Sequence, residues 1–430
     1  MLKNVTVNET KLTPRARAYA FPEMSDDLRA TNAKLEPVVN ERWPFDPDAL
    51  IAAATEMTGL SDFGPDYFRE ALDMICKSAR EDLDLNPVGH RNLWFSVLDH
   101  LIQRLRFVDL WTRHPEILDE PIDRPIFIVG LPRSGTTFFH QLLSQDESLR
   151  IVPFWELLSP LPDHDAAIRP LDDAPLIERA AKNIEGLKVH APGLLELHQL
   201  AVHEADEEIY LLGPAFASMV YEWTYIMPQY AEWYAIHDHT EGYRFFRQVL
   251  QTLQWMRGGG RWLLKAPQHM EQIKPLMTAF PDGIFVNTLR DPVTAATSVA
   301  NVSAYGQRIR TDHPNPHAAG RSCSDIIHRL VNTLLADQPE NDPRFVDIQF
   351  KQLMAEPIAA AKRVRDAAGL KTDAAIEARM RAYVEANKAA KHSGGSEYTP
   401  EDFAIDVPAL RKRIGGYYER YGVEHDPRFH

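Results

Sequence analysis

Short apolar runs bounded by turn residues alternate with stretches of helical spacing along much of this chain. Four such runs, near residues 125–130, 262–266, 284–289 and 345–350, are the length of buried strands, and each is followed by a helical pattern. That alternation predicts an α/β fold built on a parallel sheet flanked by helices. Before it, from Pro47 to about Arg113, the apolar positions recur at helical intervals, as in Leu93, Phe95, Leu98, Leu101, Ile102, Leu105, Leu110 and Trp111. This predicts a mainly helical N-terminal extension over residues 1–120, packed on an α/β domain over 121–430. Residues 1–45 are mixed and contain prolines, and are expected to wrap over the body rather than form a core. A long helical insertion, about 155–258, separates the first two predicted strands.

The strand-to-helix junction at Pro125–Thr137, read Pro-Ile-Phe-Ile-Val-Gly-Leu-Pro-Arg-Ser-Gly-Thr-Thr, has the form of a phosphate cradle. Gly130 and Gly135 permit a tight turn with inward N–H groups, and the helix beginning near Gly135 adds the positive end of its dipole. The fold class is therefore P-loop-type. A nucleotide-hydrolysing loop would carry lysine directly after the second glycine. Here that position is Thr136, and the loop's cation is Arg133. Taken alone, the segment also admits the plainer but less favoured reading of a tight strand-to-helix turn.

Two later runs end in polar residues, Lys265 in Arg261–Pro267 and Arg290 in Gly283–Pro292. Ligands bind at the carboxyl edge of an open α/β sheet, so both are expected to converge on the crevice of Arg133. Pro292 suits the first turn of a helix carrying Thr294, Thr297 and Ser298. A simpler role for Arg290 is an ion pair with Asp291.

Composition narrows the partners. The 430 residues are 44% hydrophobic and 25% charged, enough for a large core, and a net charge of −14 argues against a general nucleic-acid binder. The two cysteines, Cys76 and Cys323, have neither disulfide nor zinc spacing, which fits a reducing cytoplasm. No secretory leader or membrane-spanning run is evident, so a cytoplasmic protein is expected. A homo-oligomer is left open.

The Gly-Leu-Pro-Arg-Ser-Gly-Thr-Thr string resembles the 5′-phosphosulfate loop of sulfotransferases that use 3′-phosphoadenosine 5′-phosphosulfate (PAPS). Arg133 in place of lysine is similar to the Golgi, tyrosylprotein and bacterial branches of that family. Leu-Arg-Asp-Pro, with a serine eight residues after the arginine, resembles the family's 3′-phosphate site, and the likeness spans about residues 122–370. It implies PAPS as co-substrate with no metal. Ser134, Gly135, Thr136 and Thr137 would hold the 5′-phosphate, Arg133 and Lys265 would neutralise charge at the sulfuryl group, and Arg290 and Ser298 would select the 3′-phosphate. The implied acceptor is a hydroxyl, or an amine, on a small, moderately apolar molecule or lipid.

Sulfuryl transfer also needs a base. Leu197–Tyr210 is the densest titratable stretch near these motifs and resembles a histidine-then-acidic element of bacterial members, matching His198 and Glu207. The proline usual before the acidic pair is missing, His203 with Glu204 competes, and Glu208 adjoins. The plainer reading makes Glu204, Asp206, Glu207 and Glu208 a solvated helix face and His198 or His203 a core histidine. Tyr221–Tyr225 and Tyr230–Tyr234 would line an acceptor pocket or pack as core. His237 and His239 read as a surface turn, His269 as the start of a helix, and Gly258–Gly260 as a loop. In the family a glycine-containing loop closes over the 3′-phosphate, a role open to Lys391, Gly394 and Gly395 or equally to a surface loop. A P-loop kinase and a non-catalytic sensor of adenosine 3′,5′-bisphosphate are the alternatives. The missing lysine at Thr136 disfavours the first; the second would keep Arg133, Arg290 and Ser298 and need no base, but would leave the aromatic insertion without an obvious purpose.

Overall fold

The computed structural model describes residues 12–167, 169–390 and 398–429. Their sheet holds five parallel strands, β1 (Ile126–Ile128), β2 (Leu149–Arg150), β3 (Arg261–Lys265), β4 (Ile284–Leu289) and β5 (Phe345–Gln349), in the order β2-β3-β1-β4-β5. Four are the apolar runs of the sequence. The edge strand β2 has only two residues, too few for a period to register.

Alternate residues of these strands feed two cores, which is why the runs are apolar on every position. Phe127, Leu264 and Phe285 face the larger core, while Ile126, Ile128, Leu263, Ile284 and Val286 face a second one. The first strand lies in the middle, with Ile128 opposite Lys265 on one side and Val286 on the other. The chain leaves β1, β3 and β4 at one edge, where the order reverses, and that edge forms the crevice.

The larger core runs on into the N-terminal helices. These are α1 (Pro14–Ala20), α2 (Asp26–Leu35), α3 (Val39–Arg42), α4 (Pro47–Thr58), α5 (Phe68–Glu81) and α6 (Pro87–Arg113). Trp43, Phe45, Phe68 and Phe107 join the same cluster as Phe127. Residues 14–42 thus form three short helices, two of them opened by hydroxyl caps from Thr13 and Ser25.

After β1 comes α7 (Thr136–Leu143). Between β2 and β3 lie α8 (Phe154–Leu158), α9 (Ala174–His190), α10 (Pro192–Leu197), α11 (Val220–Thr224), α12 (Pro228–Ile236) and α13 (Thr240–Arg257). Tyr221, Tyr230 and Tyr234 are fully buried and pack ring to ring, with centroids 5.6 and 5.9 Å apart, so these three are core. The turn at His237–His239 is present, but His239 is buried rather than on the surface, its Nε2 3.0 Å from the Tyr234 carbonyl. Beyond β3 and β4 come α14 (Ile273–Ala279), α15 (Pro292–Gly306) and α16 (Pro316–Asp337). No helix among the described residues is long and apolar enough to cross a membrane.

Candidate active site

The β1–α7 loop is as tight as its glycines suggest. A Cβ on Gly130 would lie 1.9 Å from Thr288 Oγ1 of β4, so only glycine lets the two strand ends approach this closely. Gly135 caps α7 at φ +85°. Arg133 also adopts a left-handed conformation, φ +65°, which costs a side-chain-bearing residue energy and turns the guanidinium outward.

Ser134 is buried, with its hydroxyl on the Leu131 carbonyl and on Thr288 Oγ1 at 2.6 Å. Its N–H returns to Leu131 as well, at 3.2 Å. Ser134 therefore braces the loop. Thr136 and Thr137 open α7, where N–H groups lack intrahelical acceptors.

Arg133, Arg290 and Ser298 meet at one point. Arg133 donates from Nε to Ser298 Oγ at 3.1 Å and from a terminal nitrogen to the Leu197 carbonyl at 3.0 Å. Arg290 donates to the Arg133 carbonyl and lies over the Phe350 ring, 4.1 Å from its centroid. Burial lowers the pKa of Arg290. Asp291 does not pair with it but caps α15 and accepts from the Tyr418 hydroxyl at 2.6 Å. Ser298 also accepts from the Tyr398 hydroxyl at 2.8 Å. Among the described residues no carboxylate lies within ion-pair distance of Arg133 or Arg290.

Lys265 ends β3 fully buried. Its ammonium is 2.9 Å from Glu207, 3.8 Å from Asp206 and 3.5 Å from Thr137 Oγ1. Burial alone would lower its pKa, but the Glu207 and Asp206 carboxylates outweigh that and raise it.

The acidic run is not a solvated helix face. Residues 202–205 lie along 153–155, and Glu207 is extended at φ −81°, ψ 123°. Successive side chains consequently point in different directions, and each finds its own partner. Asp206 faces His198 at 3.5 Å, Glu207 faces Lys265, and Glu208 faces His269 at 2.7 Å. Burial would depress His198, but Asp206 prevails and raises its pKa. The same contact, with Lys265, overcomes burial at Asp206 and lowers its pKa. His203 and Glu204 are exposed and stand outside the cluster.

The expected residues Arg133, Thr136, Thr137, His198, Glu207, Lys265, Arg290 and Ser298 thus gather at one sheet edge. Lys391, Gly394 and Gly395 lie outside the described residues. Sequence reasoning missed Asp206 as the partner of His198, Thr288 behind the loop, and Tyr398 on Ser298. His269 is interior, in a 3₁₀ turn over Pro267–Glu271. Only the Asp206 partnership had a trace, the acidic stretch Glu204–Glu208 within ten residues of His198. No group of three or more side chains suited to a metal occurs among the described residues.

Residues 125–374 match a family described as the sulfotransferase family. The omega-hydroxy-beta-dihydromenaquinone-9 sulfotransferase Stf3 of Mycobacterium bovis is 26% identical over 324 residues, 71% of this chain and 77% of its own. Its counterpart in Mycobacterium tuberculosis gives the same figures. The crystal structure of sulfotransferase STF1 from M. tuberculosis matches with a TM-score of 0.72 at 28% identity, over 86% of this chain and 98% of that one. For STF9 from Mycobacterium avium the TM-score is 0.76 at 26% identity, over 88% and 97%.

Proposed function

The chain belongs to the sulfotransferase family, and from that membership we propose that it moves the sulfuryl group of PAPS to the hydroxyl of a lipid-like alcohol without a metal. The observation that carries the donor side is the pair of guanidinium groups, Arg133 and Arg290, joined at the loop backbone and bonded, among the described residues, only to neutral groups. Cations without a contact ion pair among the described residues, set at a helix N-terminus, favour a polyanion. Arg290 and Ser298 would hold the 3′-phosphate. Gly135, Thr136 and Thr137 would hold the 5′-phosphate, with Ser134 as the brace behind them.

The donor supplies the sulfuryl group: the acceptor oxygen bonds to sulfur as the bond from sulfur to the 5′-phosphate oxygen breaks, leaving adenosine 3′,5′-bisphosphate. Lys265, beside Thr137, would turn from Glu207 to the charge growing on that leaving oxygen, with Arg133 on the sulfuryl oxygens. The Glu207 carboxylate, so released, would take the acceptor proton. His198 is the second candidate base, favoured by its contact with Asp206.

The acceptor side rests on α10. None of its residues is buried; Leu195 packs on the Phe154 cluster, while Leu194 and Leu197 lie half-buried just before His198. That surface suits an apolar chain, and Stf3 is named for an omega-hydroxylated dihydromenaquinone.

The test is calorimetric titration with adenosine 3′,5′-bisphosphate and with ATP plus magnesium, followed by transfer of labelled sulfur from PAPS to isoprenoid alcohols and to phenols. Metal-free bisphosphate binding and labelling of the alcohols support the reading. Preferential ATP binding overturns the donor, and labelling of phenols alone overturns the acceptor class.

A further inference from the structure

Behind the Lys265–Glu207 pair lies a chain of fully buried polar groups, Gln268, Tyr243, His269 and Glu208. Its hydrogen bonds run in one direction. The backbone N–H of Met219 donates to Gln268 Oε1 at 2.9 Å, so the other amide atom of Gln268 is the donor. That nitrogen reaches the Ala217 carbonyl at 2.7 Å and the Tyr243 oxygen at 3.3 Å. Tyr243, already accepting, gives its own proton to His269 Nδ1 at 2.9 Å. The imidazole proton is thereby placed on Nε2, which donates to Glu208 Oε1 at 2.7 Å. The remaining oxygen, Glu208 Oε2, accepts the backbone N–H of Lys265 at 2.7 Å.

The two ends of this chain cannot reverse. A backbone N–H starts it and an ionised carboxylate stops it. Burial would raise the pKa of Glu208, but the His269 bond and the Lys265 N–H outweigh it and keep the carboxylate charged. Glu208 adjoins Glu207 in sequence, and Lys265 carries the ammonium that Glu207 holds. Glu208 thus ties together the backbones of both members of that pair.

We propose that Gln268, Tyr243, His269 and Glu208 form a positioning relay for sulfuryl transfer, fixing the tautomer of His269 so that Glu208 holds Lys265 and Glu207 in register. None of these groups touches the donor loop, so the relay acts on turnover and leaves donor binding alone. A misplacement of about 1 Å at reacting groups costs about a hundredfold in rate. The inference rests on the roles given above to Glu207 and Lys265.

The experiment compares His269→Leu, His269→Gln and Tyr243→Phe with the unsubstituted chain. Each is read for bisphosphate affinity and for turnover per bisphosphate-binding site, with PAPS and an alcohol that the unsubstituted chain sulfates. His269→Leu is expected to lower turnover about ten- to a hundredfold at unchanged affinity. His269→Gln, whose amide can still donate to Glu208, is expected to recover most of the loss. In a Glu207→Gln background, His269→Leu should cost less than it does in the unsubstituted chain, because one member of the pair that the relay holds is already lost. Full turnover per binding site in His269→Leu, or losses that multiply in the double variant, would overturn the relay. Should His269→Leu fail to bind bisphosphate, Tyr243→Phe decides: a drop of about threefold or more at unchanged affinity supports the relay, and full turnover overturns it. No sulfation by the unsubstituted chain overturns the proposed function and the relay with it.

Discussion

The Nε of Arg133 donates to Ser298 Oγ across 3.1 Å, joining the β1–α7 loop to the first half of α15. The residues proposed for the two ends of the donor are therefore in direct contact, and Arg290 fastens the join by donating to the Arg133 carbonyl. Two guanidinium groups packed this way repel each other until an anion arrives.

Replacing Arg290 with alanine should separate the two phosphates of the donor. A hydrogen bond to a charged group is worth about 1.5–3 kcal/mol, so affinity for adenosine 3′,5′-bisphosphate should fall about ten- to a hundredfold. Affinity for adenosine 5′-monophosphate, which lacks the 3′-group, should change far less. Calorimetry with both ligands checks this; equal losses would place Arg290 elsewhere on the donor.

The assignment of the base turns on Glu207 against His198. Glu207→Gln keeps the side chain's shape but removes its capacity to take a proton, and turnover should fall by about 10²–10⁴ with bisphosphate affinity retained. His198→Gln should cost much less. If the two variants exchange these results in steady-state assays, the base is His198 and Glu207 serves only to hold Lys265.

Most of this fold was legible because buried parallel strands are apolar on both faces. Four runs stood out for that reason, whereas the two residues of β2 carry no period. The donor side was legible because a cradle needs glycine at fixed places: Gly130 faces Thr288, and Gly135 is left-handed. The acidic run was harder. Four acids in five residues look like a solvated helix face, but the chain turns at 202–204, bridges Pro153 through Ala205, extends at Glu207 and enters a 3₁₀ turn at Glu208, so its side chains diverge. Partners that come together across long stretches of chain, such as Tyr398 with Ser298, leave no local pattern at all.

The His198–Asp206 contact should make stability depend on pH in a definite window. The pKa of His198 is raised on folding, so its contribution is fully present below the unfolded value, about 6.5, and is lost as pH rises through the higher folded value. The pKa of Asp206 is lowered, so its contribution is present above about 3.9 and is lost as pH falls through the folded value. The difference in melting temperature between the unsubstituted chain and His198→Gln should therefore be largest between those two limits and shrink toward alkaline pH. A difference that grows with alkalinity would mean that His198 is held neutral.

Gly130→Ala tests the loop by volume alone. Its Cβ would stand 1.9 Å from Thr288 Oγ1, the atom that meets the Ser134 hydroxyl, so either β4 or the loop must shift. Overpacking of this kind costs about 1–3 kcal/mol, which should appear as a lower denaturation midpoint together with weaker bisphosphate binding. Adding Thr288→Ala removes the obstructing oxygen and should restore part of the stability, with Thr136 Cγ2 and the residue 288 Cβ still 3.1 Å from the new methyl. It also takes away a partner of Ser134, so binding should recover only in part. Complete recovery of binding in the double variant would show that the Ser134–Thr288 contact does not shape the cradle, leaving the backbone of Gly130 to do so by itself.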